Sequence, residues 1–332
     1  MKSIITIIGI LLALAVWAYI TQHNMVLFAG VPAILFALWT LLNTQKTGLW
    51  AISKLMHLES SKAGLERKLA KLDGLDMVYY ESKNTSDKPT LVLIHGYTSN
   101  KSIWTRCAHH LEADYHLIVP DMAGHGETPY DPNMNYSVPT QAEWLFKLLQ
   151  HLNIDKAHIA GNSMGGFIAA YYATAYPEHT LSTILIDPAG MQSPEPSDIQ
   201  LAFEGGQNLF LPETRKDFHK FIDMTMAKRP YTPGFILKTL GKVHISRKAD
   251  YSHIFDDFFD TARMENKVKD IKAPTLLIWG EKDQILHVST VPMWQKGVPD
   301  CKTIIWDDLG HVAMFEAPER TADAMKAFLS GT

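Results

Sequence analysis

The stretch Gly161-Asn162-Ser163-Met164-Gly165 constrains the fold of this chain more than any other. It follows a short apolar run, Ala157-His158-Ile159-Ala160, and precedes Gly166-Phe167-Ile168-Ala169-Ala170-Tyr171, which has helical character. An apolar run of that length bounded by turn residues reads as a buried strand, so the order is strand, sharp turn, helix. Small residues on both sides of Ser163 let the chain turn tightly and lift the hydroxyl clear of the sheet edge. The helix just beyond the turn places partial positive charge where an oxyanion would form. An ordinary Gly-rich turn with a capping serine accounts for the same string without any chemistry, so the presence of partners for Ser163 decides between the two.

The remaining pattern supplies a sheet for that turn to sit on. Apolar strands are expected at 77–80, 90–94, 117–120, 183–186, 275–279 and 303–306, with helices near 102–111, 140–152 and 319–329 between them. Continuous apolar strands alternating with helices predict a mostly parallel sheet covered on both faces. The gap between Ile186 and Thr275 is too long for a connection, and its recurring Leu, Phe, Ile and Met residues predict a helical insert. The expected domains are therefore a core over 74–187 and 273–332 with a helical cap over 188–272. The net charge of −4 gives no reason to expect nucleic acid as a partner. The only two cysteines, Cys107 and Cys301, lie far apart without a metal-like spacing and read as buried free thiols. No metal or other cofactor is expected.

The first 73 residues have a different character. Residues 4–20 and 25–42 are uncharged and mostly apolar, and each would span about 25 Å or slightly more as a helix. With only Thr21-Gln22-His23-Asn24 between them, residues 1–45 read as a membrane hairpin. Lys2 precedes the pair and Lys46, Lys54, Lys62, Arg67, Lys68 and Lys71 follow it, which places both ends, and the catalytic part, in the cytoplasm. A second reading makes the first run a signal peptide cleaved after Ala18, which would put the rest outside the cytoplasm. Leu55, Leu58, Leu65 and Leu69 recur among charged residues, so 46–73 is expected to be an amphipathic linker helix, lying on the bilayer or packed on the core.

Partners for Ser163 are found where a parallel sheet places its sites, beyond the carboxyl ends of strands. Asp283 follows the strand ending at Trp279, and His311 follows the last strand. A serine hydroxyl needs a base to take its proton, and the base needs a carboxylate to hold its tautomer, so Ser163, His311 and Asp283 form the expected triad. Asp187 also ends a strand and competes with Asp283 for the role of acid. Met164 N–H and Tyr97 N–H, the latter in the loop Ile94-His95-Gly96-Tyr97-Thr98, are the expected oxyanion donors and so the contacts to substrate. His95 reads as a loop organiser, Asp121 as part of a turn that shapes the pocket wall, and His109 and His110 as surface residues.

Five stretches carry a resemblance to a known family: Leu93-Ile94-His95-Gly96-Tyr97, Gly161-Asn162-Ser163-Met164-Gly165-Gly166, Pro188-Ala189-Gly190-Met191-Gln192, Ile278-Trp279-Gly280-Glu281-Lys282-Asp283-Gln284 and Gly310-His311. From about residue 75 onwards the chain resembles an α/β-hydrolase of the lipase and esterase kind. More narrowly, it resembles the membrane-bound monoacylglycerol lipases of the α/β-hydrolase domain-containing type 6 group and related bacterial lipases. That resemblance implies Ser163 as nucleophile, Asp283 as acid, His311 as base, and Tyr97 and Met164 as oxyanion donors, with Tyr97 standing where the group often has phenylalanine. It also implies a membrane-anchored serine hydrolase acting on monoacylglycerol or a similar lipid ester, with the bilayer as its second partner. A short-chain carboxylesterase, a carbon–carbon bond hydrolase and a non-catalytic scaffold remain as alternatives on the same fold. Oligomeric state cannot be read from the sequence.

Overall fold

The computed structural model describes residues 25–331 apart from 43, 84, 86, 260 and 261, and in addition residues 11 and 15. Two helices come first, α1 (Met25–Leu42) and α2 (Thr44–Lys62). They are followed by β1 (Leu65–Leu72), β2 (Leu75–Ser82), β3 (Thr90–Ile94), α3 (Thr105–His109), β4 (His116–Pro120), α4 (Val138–His151), β5 (Ala157–Asn162), α5 (Met164–Ala175) and β6 (Thr180–Ile186). Four helices then intervene, α6 (Asp198–Glu204), α7 (Arg215–Met224), α8 (Gly234–Ser246) and α9 (Lys248–Phe259). The chain closes with β7 (Thr275–Gly280), α10 (Val291–Gly297), β8 (Cys301–Trp306), α11 (Ala313–Glu316) and α12 (Pro318–Leu329). Contacts divide these residues into two units, one holding the described residues up to Lys54 with Pro233–Thr239, the other holding Leu55–Thr232 and Leu240–Thr332.

In the larger unit the eight strands form one sheet in the order β1-β2-β4-β3-β5-β6-β7-β8. The first two strands are antiparallel to their neighbours, and β3 to β8 run parallel. Alternation along each strand feeds two cores. Val92, Ile94, Ile159, Leu185, Leu277 and Trp279 point to one face, where Leu145, Phe167 and Ile168 of α4 and α5 cover them. Leu91, Leu93, Ala160, Ile184, Ile186 and Ile278 point to the other, under Cys107 of α3 and Met325 and Phe328 of α12. A parallel strand loaded on both faces must be apolar throughout, which is why these runs were legible as strands.

One expectation requires correction and a second is unsupported. The 46–73 stretch is not one helix, because α2 ends at Lys62 and Leu65–Leu72 is strand β1. Asp73-Gly74 makes a tight turn, with Gly74 at φ +90°, and β1 folds back on β2 in register from Leu65↔Ser82 to Leu72↔Leu75. Pairing with β2 therefore overrides the leucine spacing, and Leu69, an expected stripe residue, is exposed. The membrane hairpin is not supported either. Residues 4–20 lie outside the described residues apart from 11 and 15, and α1, at 18 residues, spans about 27 Å against a hydrocarbon core of roughly 30 Å. Among the described residues no helix is long and apolar enough to cross a membrane. Cys107 is a buried free thiol as expected, whereas Cys301 is only half-buried.

The loop after β4 is fixed by a buried ion pair. Lys101 Nζ donates to Asp121 Oδ2 and to Glu127 Oε2, both at 2.6 Å, with the Lys101 and Asp121 side chains 1% and 0% exposed. Asp121 also accepts the N–H groups of Lys101 at 2.7 Å and Glu127 at 2.8 Å, so its carboxylate organises a turn, as the sequence suggested. Lys101→Ala would leave that charge buried without its counter-ion. The expected loss is roughly 3–5 kcal/mol of unfolding free energy, measured as a lowered denaturant midpoint.

Candidate active site

Ser163 is the single residue between β5 and α5, and its backbone sits at φ 58° and ψ −119°, a region that side chains enter at a cost. The turn closes only because two neighbours lack side chains. A Cβ on Gly161 would lie 2.1 Å from Gly165 O, and one on Gly165 would lie 2.4 Å from Ile94 O. Ser163 N–H donates to Ile186 O, and Ser163 O accepts from Phe167 N–H and Ala189 N–H, each at 3.0 Å. The strained turn is thereby tied to β6, to its own helix and to the loop leading into the cap.

The structure brings Asp283 and His311 together from the loops after β7 and β8. His311 Nδ1–H donates to Asp283 Oδ2 at 2.7 Å, with both side chains almost wholly buried. Asp283 Oδ1 accepts the N–H groups of Ile285 at 2.7 Å and Leu286 at 3.0 Å, which orients the carboxylate towards the ring. Asn162, next to the nucleophile, donates through Nδ2 to His311 O at 2.8 Å and to Ile186 O at 3.1 Å. One side-chain amide thus joins the serine turn to the histidine loop. Sequence reasoning missed this residue, whose only signal was an amide at an unspecified position of the G-x-S-x-G pattern.

The loop after β3 lies against the serine, since a Cβ on Gly96 would be 3.2 Å from Ser163 Cβ. Tyr97 follows Gly96 in that loop, and Met164 opens α5, where a helix's first N–H groups have no intrahelical acceptor. His95 does organise the loop. Its Nδ1–H donates to Gly96 O at 2.8 Å, its Nε2 accepts from Met122 N–H at 3.0 Å, and burial holds its pKa below the usual histidine range. Tyr97 is buried in an aromatic cage, with ring centroids 5.8 Å from Phe210, 5.9 Å from Tyr251, 5.7 Å from Phe255 and 5.2 Å from Phe258. Its hydroxyl donates to Tyr251 O at 2.6 Å, tying the β3 loop to α9, a bond the sequence gave no sign of. Beside it, Ile199, Leu209, Phe221, Met224 and Ile285 form a separate apolar cluster. A surface hollow of about 510 Å³ lined by Leu72, Pro129 and Tyr130 shares no residue with this constellation.

Asp187, the competing acid, stands beside the chosen one. Donor atoms of Asp187, Asp283 and His311 lie within 4.8 Å of one another. Most are already committed to hydrogen bonds, with Gly280 N–H on Asp187 Oδ1 at 2.8 Å, so the cluster has the make-up of a hydrogen-bonded relay more than of an ion cage. His109 and His110 lie apart from the site, with His109 exposed.

Comparison with known proteins agrees with this geometry. A family model described as the alpha/beta hydrolase fold matches residues 89–318. Lipase 1 of Psychrobacter immobilis is 38% identical over 285 residues, covering 83% of this chain and 88% of that protein. The human monoacylglycerol lipase ABHD6 is 29% identical over 255 residues, covering 73% of this chain and 76% of its own. A crystal structure titled as a membrane phospholipase A superposes with a TM-score of 0.84 at 32% identity, covering 93% of this chain and 99% of that one. With its strand order, its serine turn and its buried acid–histidine pair, the chain belongs to the α/β hydrolase fold family.

Proposed function

We propose that this chain is a membrane-associated lipase that cleaves monoacylglycerols through Ser163, His311 and Asp283. Its class is that of the lipases it is similar to, carboxylic ester hydrolase. The observation that carries the finer reading is the 2.7 Å His311–Asp283 bond beside a serine held on a strained turn. In this mechanism His311 Nε2 takes the Ser163 proton as Oγ attacks the ester carbonyl, while Asp283 holds the Nδ1–H tautomer and stabilises the imidazolium. The N–H groups of Met164 and Tyr97 receive the oxyanion. His311 then gives its proton to the departing glycerol, and water clears the acyl-enzyme by the same steps. The apolar, aromatic surroundings of Tyr97, next to the serine turn, favour an acyl group over a polar one as the neighbour of the reacting ester. Domain limits follow the same reading, with 65–187 and 273–332, which hold the eight-stranded sheet, as the catalytic body and 188–272, apart from Pro233–Thr239, as the cap.

The N-terminal unit supports association with a bilayer. Its α1 carries no charge, and Ile34, Phe36 and Leu38 are 62%, 60% and 47% exposed. Trp50 of α2 and Phe235 of α8, in the same unit, are 59% and 42% exposed. Apolar side chains gathered in one unit suit insertion into a lipid surface, and the lysines that follow favour the cytoplasmic leaflet. A second reading, acyl release from phospholipids, is favoured by the likeness to the membrane phospholipase A over 93% of this chain.

Two outcomes are expected. In detergent micelles, the wild type releases glycerol from medium- and long-chain monoacylglycerols, and Ser163→Ala lowers the rate by about a millionfold, to background. Turnover confined to short soluble esters would make the chain an esterase, and faster acyl release from phospholipids would select the second reading. In co-sedimentation with anionic phosphatidylcholine/phosphatidylserine vesicles, the full chain pellets, and Ile34→Asp/Phe36→Asp moves it to the supernatant while leaving its soluble-ester activity intact.

A further inference from the structure

Next to the triad stands a buried titratable group to which the triad reading gives no task. Asp187 is 0% exposed at the end of β6, with its backbone held at φ +44° by an N–H bond to Ile278 O. An aspartate occupies that left-handed region at a cost, so the surroundings impose its position. Oδ1 accepts Gly280 N–H, but Oδ2 meets no donor among the described residues. The carboxylate of Asp283 and the ring of His311 stand beside it, in a cluster whose atoms lie within 4.8 Å of one another. Two carboxylates so close and so buried cannot both carry charge, because each would raise the energy of the other in a medium that screens poorly. Asp283 receives three donors, from Ile285, Leu286 and His311, whereas Asp187 receives one. The charge therefore belongs on Asp283 and the proton on Asp187.

We infer that Asp187 is a neutral carboxylic acid whose Oδ2–H donates to the Asp283 carboxylate, making it a positioning residue that acts on His311 through the triad acid. This rests on the triad reading given above. The proton turns an orphaned acceptor into a donor and supplies Asp283 with one more hydrogen bond, which fixes the carboxylate against the imidazole. The charged and titratable groups facing Asp187 are Asp283 from the loop after β7, His311 from the loop after β8 and Glu316 of α11. Glu316 accepts N–H bonds from Gly310 at 2.9 Å and Ala227 at 2.8 Å and, like Asp283, opposes a second negative charge at Asp187. Burial first, and then the Asp283 charge, push the Asp187 carboxyl well above the usual carboxylate range.

The test uses Asp187→Asn, which keeps a donor and cannot ionise, and Asp187→Ala, which removes the donor. Asp187→Ala is expected to lose about tenfold in kcat with KM unchanged, the worth of one hydrogen bond to a charged group. Asp187→Asn recovers most of that turnover, and the acidic limb of its kcat/KM profile stays where the wild type has it. Stability gives a readout free of catalysis. A carboxyl raised in the folded state stabilises fully below its unfolded pKa of about 4, and that contribution is lost as pH rises towards the folded value. The melting temperature of Asp187→Asn should therefore gain on the wild type by about 3 °C for each pH unit from pH 5 upwards. A gap that stays flat between about pH 5 and 8, or an acidic limb lowered in Asp187→Asn by about one unit, would mean that wild-type Asp187 is charged and overturns the inference. An Asn variant as impaired as the Ala variant overturns it as well. Undiminished hydrolysis by Ser163→Ala would instead refute the triad reading, and the stability comparison would still locate the proton.

Discussion

A serine held at φ 58° is the constraint on which the rest of this structure depends. Such a backbone costs about 1–3 kcal/mol and persists only where its surroundings over-determine it. Here they do so by close packing. The 2.1 Å and 2.4 Å approaches that any Cβ would make at Gly161 and Gly165 bring the turn onto its own helix and onto the end of β3. The bonds from Ser163 N–H to Ile186 and from Ala189 N–H to Ser163 O lock it to the end of β6. Because β3 and β6 flank β5, tightness at one residue decides which loops can reach it: the β3 loop with Tyr97 on one side, and the end of β6 with Asp187 on the other.

The remaining groups arrive by the same logic of parallel strands. All six strands from β3 to β8 end on one side of the sheet, so loops far apart in sequence converge there. Convergence alone does not give hydrogen-bond distances. The Asn162 amide supplies the coupling between turn and base, and the two N–H groups after Asp283 aim its carboxylate at His311. On the substrate side the hydroxyl of Tyr97 links the β3 loop to α9.

What could be read from the sequence divides along physical lines. Strands buried on both faces announce themselves as unbroken apolar runs, so β3 to β7 were legible, as was the apolar run of the half-exposed edge strand β8, and the order Ser163, Asp283, His311 followed from where those strands end. Strand β1 was not legible, because Leu65 and Leu69 sit at helical spacing and only its pairing with β2 makes it a strand. The membrane hairpin is unsupported among the described residues for a related reason, since hydropathy reports that a segment is apolar without reporting that a helix is long enough to cross. At the site, residue types that define the chemistry could be found by pattern. Asn162, the Tyr97 hydroxyl and the pairing of Asp187 with Asp283 could not, because each depends on which side chains meet across the fold.

In the proposed reaction Ser163 owes its nucleophilicity to the His311–Asp283 pair. Covalent trapping by a fluorophosphonate, mapped by peptide mass spectrometry and timed in the wild type and in His311→Ala, tests it most directly. One adduct is expected, on Ser163, with the labelling rate lowered by about a thousandfold or more when the base is removed. An adduct on any other residue, or labelling of Ser163 at the same rate without His311, would contradict it.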